Sequence, residues 1–163
     1  MTTAATHLPV AYDVRTLLEE LFGRPVEVRP APPWAPLGGE QGTFALYVDD
    51  RLAVRAVAVC DLPFSAYAGA AIGLVPPTSA RTAVADGALD ENSQENLYEV
   101  LNICAALYNV EGAPHMKLHQ VHHVGADVAP QVQALSAVLG RRLDLSVDIN
   151  GYGTGRLSFV GVA

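Results

Sequence analysis

The sequence is poor in basic residues. Its 163 residues include 10 lysines and arginines against 17 aspartates and glutamates, which gives a formal net charge of −7. Proteins that bind nucleic acid need a basic face to neutralise phosphates. The one adjacent pair, Arg141 and Arg142, is too small to form such a face. We therefore expect no nucleic-acid partner.

Cysteine and long hydrophobic runs are scarce as well. Cys60 and Cys104 are the two cysteines and both lie in apolar stretches, so we expect buried free thiols rather than a disulfide framework or a zinc site. The longest uncharged apolar run, residues 62–76, is shorter than the roughly 20 residues that span a bilayer. The first residues lack the basic and apolar regions of a signal peptide. We expect a soluble cytoplasmic protein without membrane insertion.

What the chain does have is material for a core. Half of its residues are hydrophobic and 17% are charged, which suits one domain of ordinary size. The expected organisation is a single domain over residues 1–163, with residues 1–10 as a flexible leader.

Hydrophobic periodicity and turn residues predict strands at both ends of the chain and helices between them. A Pro- and Gly-rich loop covers residues 30–39. The predicted helices cover residues 11–23, 62–74 (capped by Asp61), 78–85, 92–109 and 130–140. The predicted strands cover residues 26–29, 42–48, 52–59, 115–124, 142–149 and 156–162. With two hairpins, this is an α+β fold with a mostly antiparallel sheet packed with helices. The small residues of 62–74 imply very close packing on that sheet.

The predicted helix 92–109 is the most informative segment. Its apolar residues share one broad face, and at about 100° per residue its polar residues collect on the other. We expect Ser93 or Asn92 to cap its start. The polar row consists of Glu91, Glu95, Glu99, Asn102 and Asn109.

Such a row is usually a solvated surface, but one feature favours a function. Glu95 and Glu99 are like charges four residues apart, which destabilises a helix by a few tenths of a kcal/mol. No lysine or arginine on this helix offsets them. The row is therefore the candidate interaction site.

Glu99-Val100-Leu101-Asn102 resembles the ExxN motif of the CheC/CheX/FliY chemotaxis phosphatases. The similarity extends from about Tyr12 to Val162, since the leading helix, the first hairpin strand, the motif helix and the final strand pair come in a similar order. The resemblance implies a single CheX-like domain. It also implies an activity, which is dephosphorylation of the phospho-aspartate of a CheY-like response regulator.

The resemblance further implies a role for each residue. Asn102 would orient the attacking water and Glu99 would hold a lysine of the partner, with Glu95 as an accessory contact and Glu91 and Asn109 as further partner contacts. The chain would need no cofactor, because the Mg²⁺ would be carried by the partner's receiver domain. CheX-like proteins pair through their sheets, so a homodimer is expected.

The chain departs from the family's pattern at two places. Glu95 stands where the family has Asp or Ser, and residues 120–125 lack the proline expected about twenty residues after the Asn. The alternative is therefore a non-catalytic module of the same fold that docks a regulator or another partner. A small-molecule sensor with a pocket beneath residues 62–74 is a third class, which no polar residue there supports.

Four histidines lie close together, of which His115, His119 and His123 would share one face of the predicted strand 115–124. At about 3.3 Å per residue that row spans about 26 Å, too far to hold one ion, so we expect no metal site. A solvated or interface-lining histidine face is the expected arrangement. Neither cysteine has a histidine near it in the sequence, so no nucleophile is predicted.

Overall fold

The computed structural model describes residues 5–37 and 39–162, to which every structural statement below refers. Five helices and six strands form the domain. The helices are α1 Ala11–Phe22, α2 Leu62–Ile72, α3 Pro77–Asp86, α4 Glu91–Cys104 and α5 Pro130–Ser136, with a 3₁₀ turn at Ala105–Leu107. The strands are β1 Val26–Pro30, β2 Gly42–Val48, β3 Val54–Asp61, β4 Lys117–His122, β5 Arg141–Ile149 and β6 Gly153–Gly161.

The six strands form one sheet in the order β1-β5-β6-β3-β2-β4. Every neighbouring pair is antiparallel. The two predicted hairpins, β2–β3 and β5–β6, are both present, and in the second Leu145 lies opposite Leu157. The structure confirms the α+β fold with an antiparallel sheet.

Each face of the sheet carries its own hydrophobic core. The larger core lies under α1, α2 and α4, and it includes the inward residues of all six strands. The smaller core covers Phe44 and Val59 on the opposite face, where Trp34 of the proline-rich loop and Val132 and Leu135 of α5 pack against them. The sheet is thus enclosed on both sides along β2 and β3, which explains why residues on both faces of these strands are mostly apolar.

Helix α2 lies at the centre of the larger core. Asp61 caps it by accepting the Phe64 N–H at 2.8 Å, as predicted. The helix packs directly on β6, since a Cβ on Gly155 would lie 2.3 Å from the Phe64 nitrogen. This contact confirms the predicted close packing, and it places helix and sheet in contact where a sensor pocket was considered.

Two predictions for the motif helix are wrong. The N-cap is Asp90, whose carboxylate accepts the Ser93 N–H at 2.7 Å, and neither Ser93 nor Asn92 caps the helix. The helix ends at Cys104 rather than Asn109, because the Ala105 N–H bonds to the carbonyls of Asn102 and Ile103 and starts the 3₁₀ turn.

The histidine row is also corrected. Strand β4 spans only Lys117–His122, so His115 and His123 lie outside it. Its pairing with β2 shifts by one residue at His119, which is a β-bulge that interrupts the alternation of side chains. Leu118 and Val121 consequently both pack on the larger core, and the three histidines do not form one face.

The part of the leader that the structure describes, residues 5–10, contacts the domain. Thr6 is buried, its carbonyl accepts a hydrogen bond from Arg141, and Leu8 packs on the larger core. Residues 1–4, which were also assigned to the flexible leader, lie outside the described residues.

Arg142, too isolated to indicate a binding surface, has a structural role instead. Its guanidinium binds both carboxylate oxygens of Asp144, at 2.8 and 2.7 Å, and each side chain is only 6% exposed. The guanidinium also donates to the carbonyls of Ser136, Val138 and Trp34. One buried cation therefore fastens the proline-rich loop and the segment after α5 to strand β5.

None of the helices among the described residues combines the length and the apolar character needed to cross a membrane.

Candidate functional site

Helix α4 is fixed to the molecule from its inner side. Leu97, Val100, Leu101 and Cys104 are buried against the larger core. They recur every three to four residues, as one face of an α-helix requires. The opposite face of α4 is consequently turned to solvent.

A buried tyrosine holds the carboxyl end of α4. The Tyr47 hydroxyl of β2 donates to the Leu101 carbonyl at 2.7 Å. The carbonyl is available because the Ala105 N–H bonds to Asn102 and Ile103 instead. This bond pins the backbone next to Asn102 from the core side and leaves the Asn102 side chain outside.

A second contact sets the distance between α4 and α2. A Cβ on Gly69 would lie 2.9 Å from the Ser93 carbonyl oxygen, and one on Gly73 would lie 2.3 Å from the Asn96 amide nitrogen. Glycines four residues apart on α2 therefore let the two helices approach closely. The position of the outward face of α4 depends on this crossing.

Four of the five predicted site residues come together on that outward face. Glu91, Glu95, Glu99 and Asn102 are all exposed. At 1.5 Å per residue, Glu95 and Asn102 lie about 10 Å apart along the helix, and Glu99 lies between them. None of the four forms a side-chain hydrogen bond or ion pair within residues 5–37 and 39–162. We call this set the acidic row.

Asn109 does not belong to the acidic row. It follows the 3₁₀ turn, and its amide brackets the backbone of Met116, accepting the N–H at 2.7 Å and donating to the carbonyl at 3.0 Å. Both ends of the amide are used inside the fold, so its role is to fasten the start of β4 to the end of the motif segment.

Tyr98 is an element of this face that the sequence analysis missed. It is 42% exposed and stands four residues before Asn102, so the two side chains are neighbours on the helix surface. The i,i+4 spacing to Asn102 is the signal that identifies Tyr98.

Among the described residues, neither the cysteines nor a cluster of metal-ligating side chains supports thiol or metal chemistry. Cys60 and Cys104 are buried free thiols, as predicted. Burial raises the pKa of Cys104 to about 12 and that of Cys60 well above its ordinary value, so neither supplies a thiolate near neutral pH. Within residues 5–37 and 39–162, no three His, Cys, Asp or Glu side chains are grouped so that they could hold a metal ion.

Comparison with known structures identifies the fold. The chain is similar to FliY from Thermotoga maritima, with a TM-score of 0.64 at 12% identity over 91% of this chain and 82% of that chain. It is also similar to FliM in the FliM–SpeE complex from H. pylori, with a TM-score of 0.58 at 9% identity over 93% and 80%. A CheC-like superfamily protein from Shewanella sp. PV-4 gives 0.50 at 12% identity over 93% and 94%. No protein-family model and no curated protein matches the sequence. The chain has the CheC/CheX/FliY-type fold that the motif implied.

Proposed function

We propose that this protein engages a phosphorylated CheY-like response regulator and hydrolyses its aspartyl phosphate, using Asn102 and Glu99 of α4. The observation that carries the proposal is the placement of both side chains on one exposed helix face with no partner among the described residues. A buried Asn102 would have excluded the mechanism, because a phosphate held by another protein could not reach it.

The proposed mechanism requires one correctly positioned amide from this protein. Hydrolysis of an acyl phosphate needs a water aligned opposite the leaving carboxylate, and catalysis of phosphoryl transfer is mainly positioning and charge stabilisation. The Asn102 amide oxygen accepts a hydrogen bond from the water and directs its lone pair at phosphorus. A new P–O bond forms to the water oxygen as the P–O bond to the aspartate breaks, and the proton lost by the water passes to a phosphate oxygen. The products are inorganic phosphate and the free aspartate carboxylate.

Glu99 fixes the docking position. It stands three residues before Asn102, so the two side chains project side by side. An ion pair between Glu99 and a lysine of the partner places Asn102 at the phosphate. Glu95 and Glu91 extend the negative charge along the helix and favour a partner surface with a basic group. The Mg²⁺ that neutralises phosphate charge is carried by the receiver domain, so this chain supplies no metal ligands.

The proposal is tested by the loss of acyl phosphate from a phosphorylated receiver domain of the same organism. We expect wild-type protein to accelerate the loss and Asn102→Ala to lose about 10²-fold or more of that acceleration, in the range found when one oriented polar group is removed. The control is Asn92→Ala, which removes an exposed amide about 15 Å away on the same helix. Equal rates with wild type and Asn102→Ala would contradict the assignment.

Glu99 is tested by affinity for the same domain. Glu99→Gln removes one charge from the proposed ion pair and should weaken binding, and more so at low salt than at high salt. Glu20→Gln makes the same charge change on the exposed surface of α1 and serves as the control. If both variants weaken binding equally, the effect of Glu99→Gln is due to the change in net charge and not to a specific ion pair.

The competing function is a docking module without catalysis. FliM, which shares the fold, is found in a complex with another protein. Binding of the receiver domain without acceleration of phosphate loss would favour this alternative, and Glu95→Asp would then test whether the longer side chain at that position suppresses activity.

The homodimer and the cytoplasmic location stay predictions. Light scattering at tens of micromolar tests the first and fractionation of the native cells tests the second.

A further inference from the structure

Leu74 has two unusual properties. It follows α2 with a φ of 53°, in the left-handed region that leucine rarely adopts, and it is 78% exposed. A glycine stands immediately before it, but Gly73 has a φ of −86°. The residue best suited to the left-handed conformation is thus one position away from the site that requires it.

Gly73 lies against α4, which places this turn beside that helix. Any Cβ at Gly73 would meet the Asn96 amide nitrogen at 2.3 Å. The turn that follows is held by the Val75 N–H, which bonds to the Ala70 carbonyl at 2.9 Å. Leu74 is therefore an exposed residue of a hydrogen-bonded turn that adjoins α4.

This turn lies on one flank of the acidic row. Asn96, which touches Gly73, and Glu99 are three residues apart on α4 and so lie on adjoining parts of the same side of the helix. Tyr98, 42% exposed, lies on the other flank. The middle of the acidic row, near Glu99, therefore has the turn that carries Leu74 on one side and Tyr98 on the other.

We propose that Leu74 is an apolar contact for the receiver domain that the acidic row engages. The inference rests on the proposed function and adds a second element, the end of α2, to the docking surface. The partner it fits presents a basic group opposite Glu99 and an apolar patch beside that group. Nothing among the described residues covers Leu74, so its apolar surface would be removed from water only on docking, and that burial would add to the affinity.

The test measures affinity and thermal stability together. The probe is a receiver domain of the same organism loaded with Mg²⁺ and beryllofluoride, which mimics the phosphorylated state. Leu74→Gly should relieve the backbone strain and raise the unfolding midpoint by about 2–4 °C, while it weakens binding about fivefold or more. Leu74→Met keeps an apolar side chain and should keep the affinity.

Leu52→Gly is the matched control. Leu52 also has a positive φ, 62°, and is 61% exposed, but it lies at the tip of the β2–β3 hairpin rather than beside α4. Its replacement should raise the midpoint and leave the affinity unchanged. If Leu74→Gly binds the receiver domain as tightly as wild type does, the proposed contact of Leu74 is wrong, while the proposed function stands. Failure of wild type to bind the loaded receiver domain would overturn the proposed function and this contact with it.

Discussion

Two buried tyrosines differ in one hydrogen bond. Tyr47 and Tyr108 pack with ring centroids 4.9 Å apart and ring planes tilted by 52°, and both are fully buried. The Tyr47 hydroxyl donates to Leu101, whereas the Tyr108 hydroxyl has no partner among the described residues. Burial raises the pKa of both phenols well above the ordinary value, so both are neutral at physiological pH.

The two tyrosines should therefore respond oppositely to removal of the hydroxyl. Tyr47→Phe leaves the Leu101 carbonyl without its partner and should lower the free energy of unfolding by about 1–3 kcal/mol. Tyr108→Phe removes an unsatisfied polar atom and should be neutral or stabilising by up to about 1 kcal/mol. Urea unfolding of both variants measures the difference.

Each tyrosine variant is the control for the other, because both lose the same atom from the same aromatic cluster. A similar loss of stability in both would mean that the bond to Leu101 contributes nothing beyond packing. Tyr47→Phe should also loosen the end of α4, which faster amide hydrogen exchange at Cys104 and Ala105 would report.

At the scale of elements, the crossing of α2 and α4 decides where the acidic row stands. Gly69 faces a backbone carbonyl, which cannot move without moving α4, whereas Gly73 faces the end of the Asn96 side chain. Alanine is the better helix former by about 1 kcal/mol. The effect of alanine on stability at each glycine therefore depends on whether the gain in helix propensity exceeds the cost of the steric contact.

We expect alanine to change the free energy of unfolding differently at the two positions. Gly69→Ala pushes against the Ser93 carbonyl and should cost about 1–2 kcal/mol net, since overpacking of a core costs about 1–3 kcal/mol. Gly73→Ala should be close to neutral, because the Asn96 side chain can rotate away. Urea unfolding gives the stabilities, and NMR shifts of the α4 amides should move more in Gly69→Ala. Equal costs at both positions would show that the close approach to backbone is unimportant.

The same elements show how far the sequence predicts the structure. Alternating hydrophobic residues and turn residues located both hairpins, and Asp61 located the start of α2, since these signals are local. The end of α4 was missed because the Leu101 carbonyl bonds to the hydroxyl of Tyr47, 54 positions earlier, and not to the Ala105 N–H. Its N-cap was missed because Asp90, Asn92 and Ser93 are all capping residue types, among which sequence alone does not choose. The bulge at His119 likewise depends on pairing with β2.

The candidate site was predictable to a similar extent. The exposed face of Glu91, Glu95, Glu99 and Asn102 follows from helical periodicity, which is why the structure brings them together. Asn109 was misplaced because one-dimensional periodicity continues past the point where the helix stops. Leu74 carries no local signal, since leucine itself disfavours the left-handed conformation and the glycine stands one position earlier.

At the scale of the whole molecule, Arg142 and Asp144 join segments that are far apart in sequence. Asp144 also accepts the Ser158 hydroxyl of β6 at 2.7 Å. Burial raises the pKa of Asp144, but hydrogen bonds from Arg142 and Ser158 lower it more, and the resulting pKa lies below the ordinary value. A carboxylate whose pKa is lowered by folding stabilises the fold above its unfolded pKa and loses that contribution as the pH falls through the folded pKa.

Removal of the guanidinium should therefore destabilise the molecule in a pH-dependent way. At pH 7, Arg142→Ala leaves the Asp144 carboxylate buried without its cation, which costs about 3–5 kcal/mol. As the pH falls, the variant protonates Asp144 first because it has lost the cation, and the wild type loses its pair at a pH below the ordinary carboxyl pKa, so the difference in unfolding free energy should narrow. Arg29 and Glu27 of β1 are also two residues apart and form an ion pair, but their side chains are 76% and 67% exposed. Arg29→Ala should therefore cost less than about 1 kcal/mol at either pH. Urea unfolding between pH 7 and 3 measures both variants, and a cost for Arg142→Ala that is small or constant with pH would mean that the three segments are held together by packing rather than by this buried ion pair.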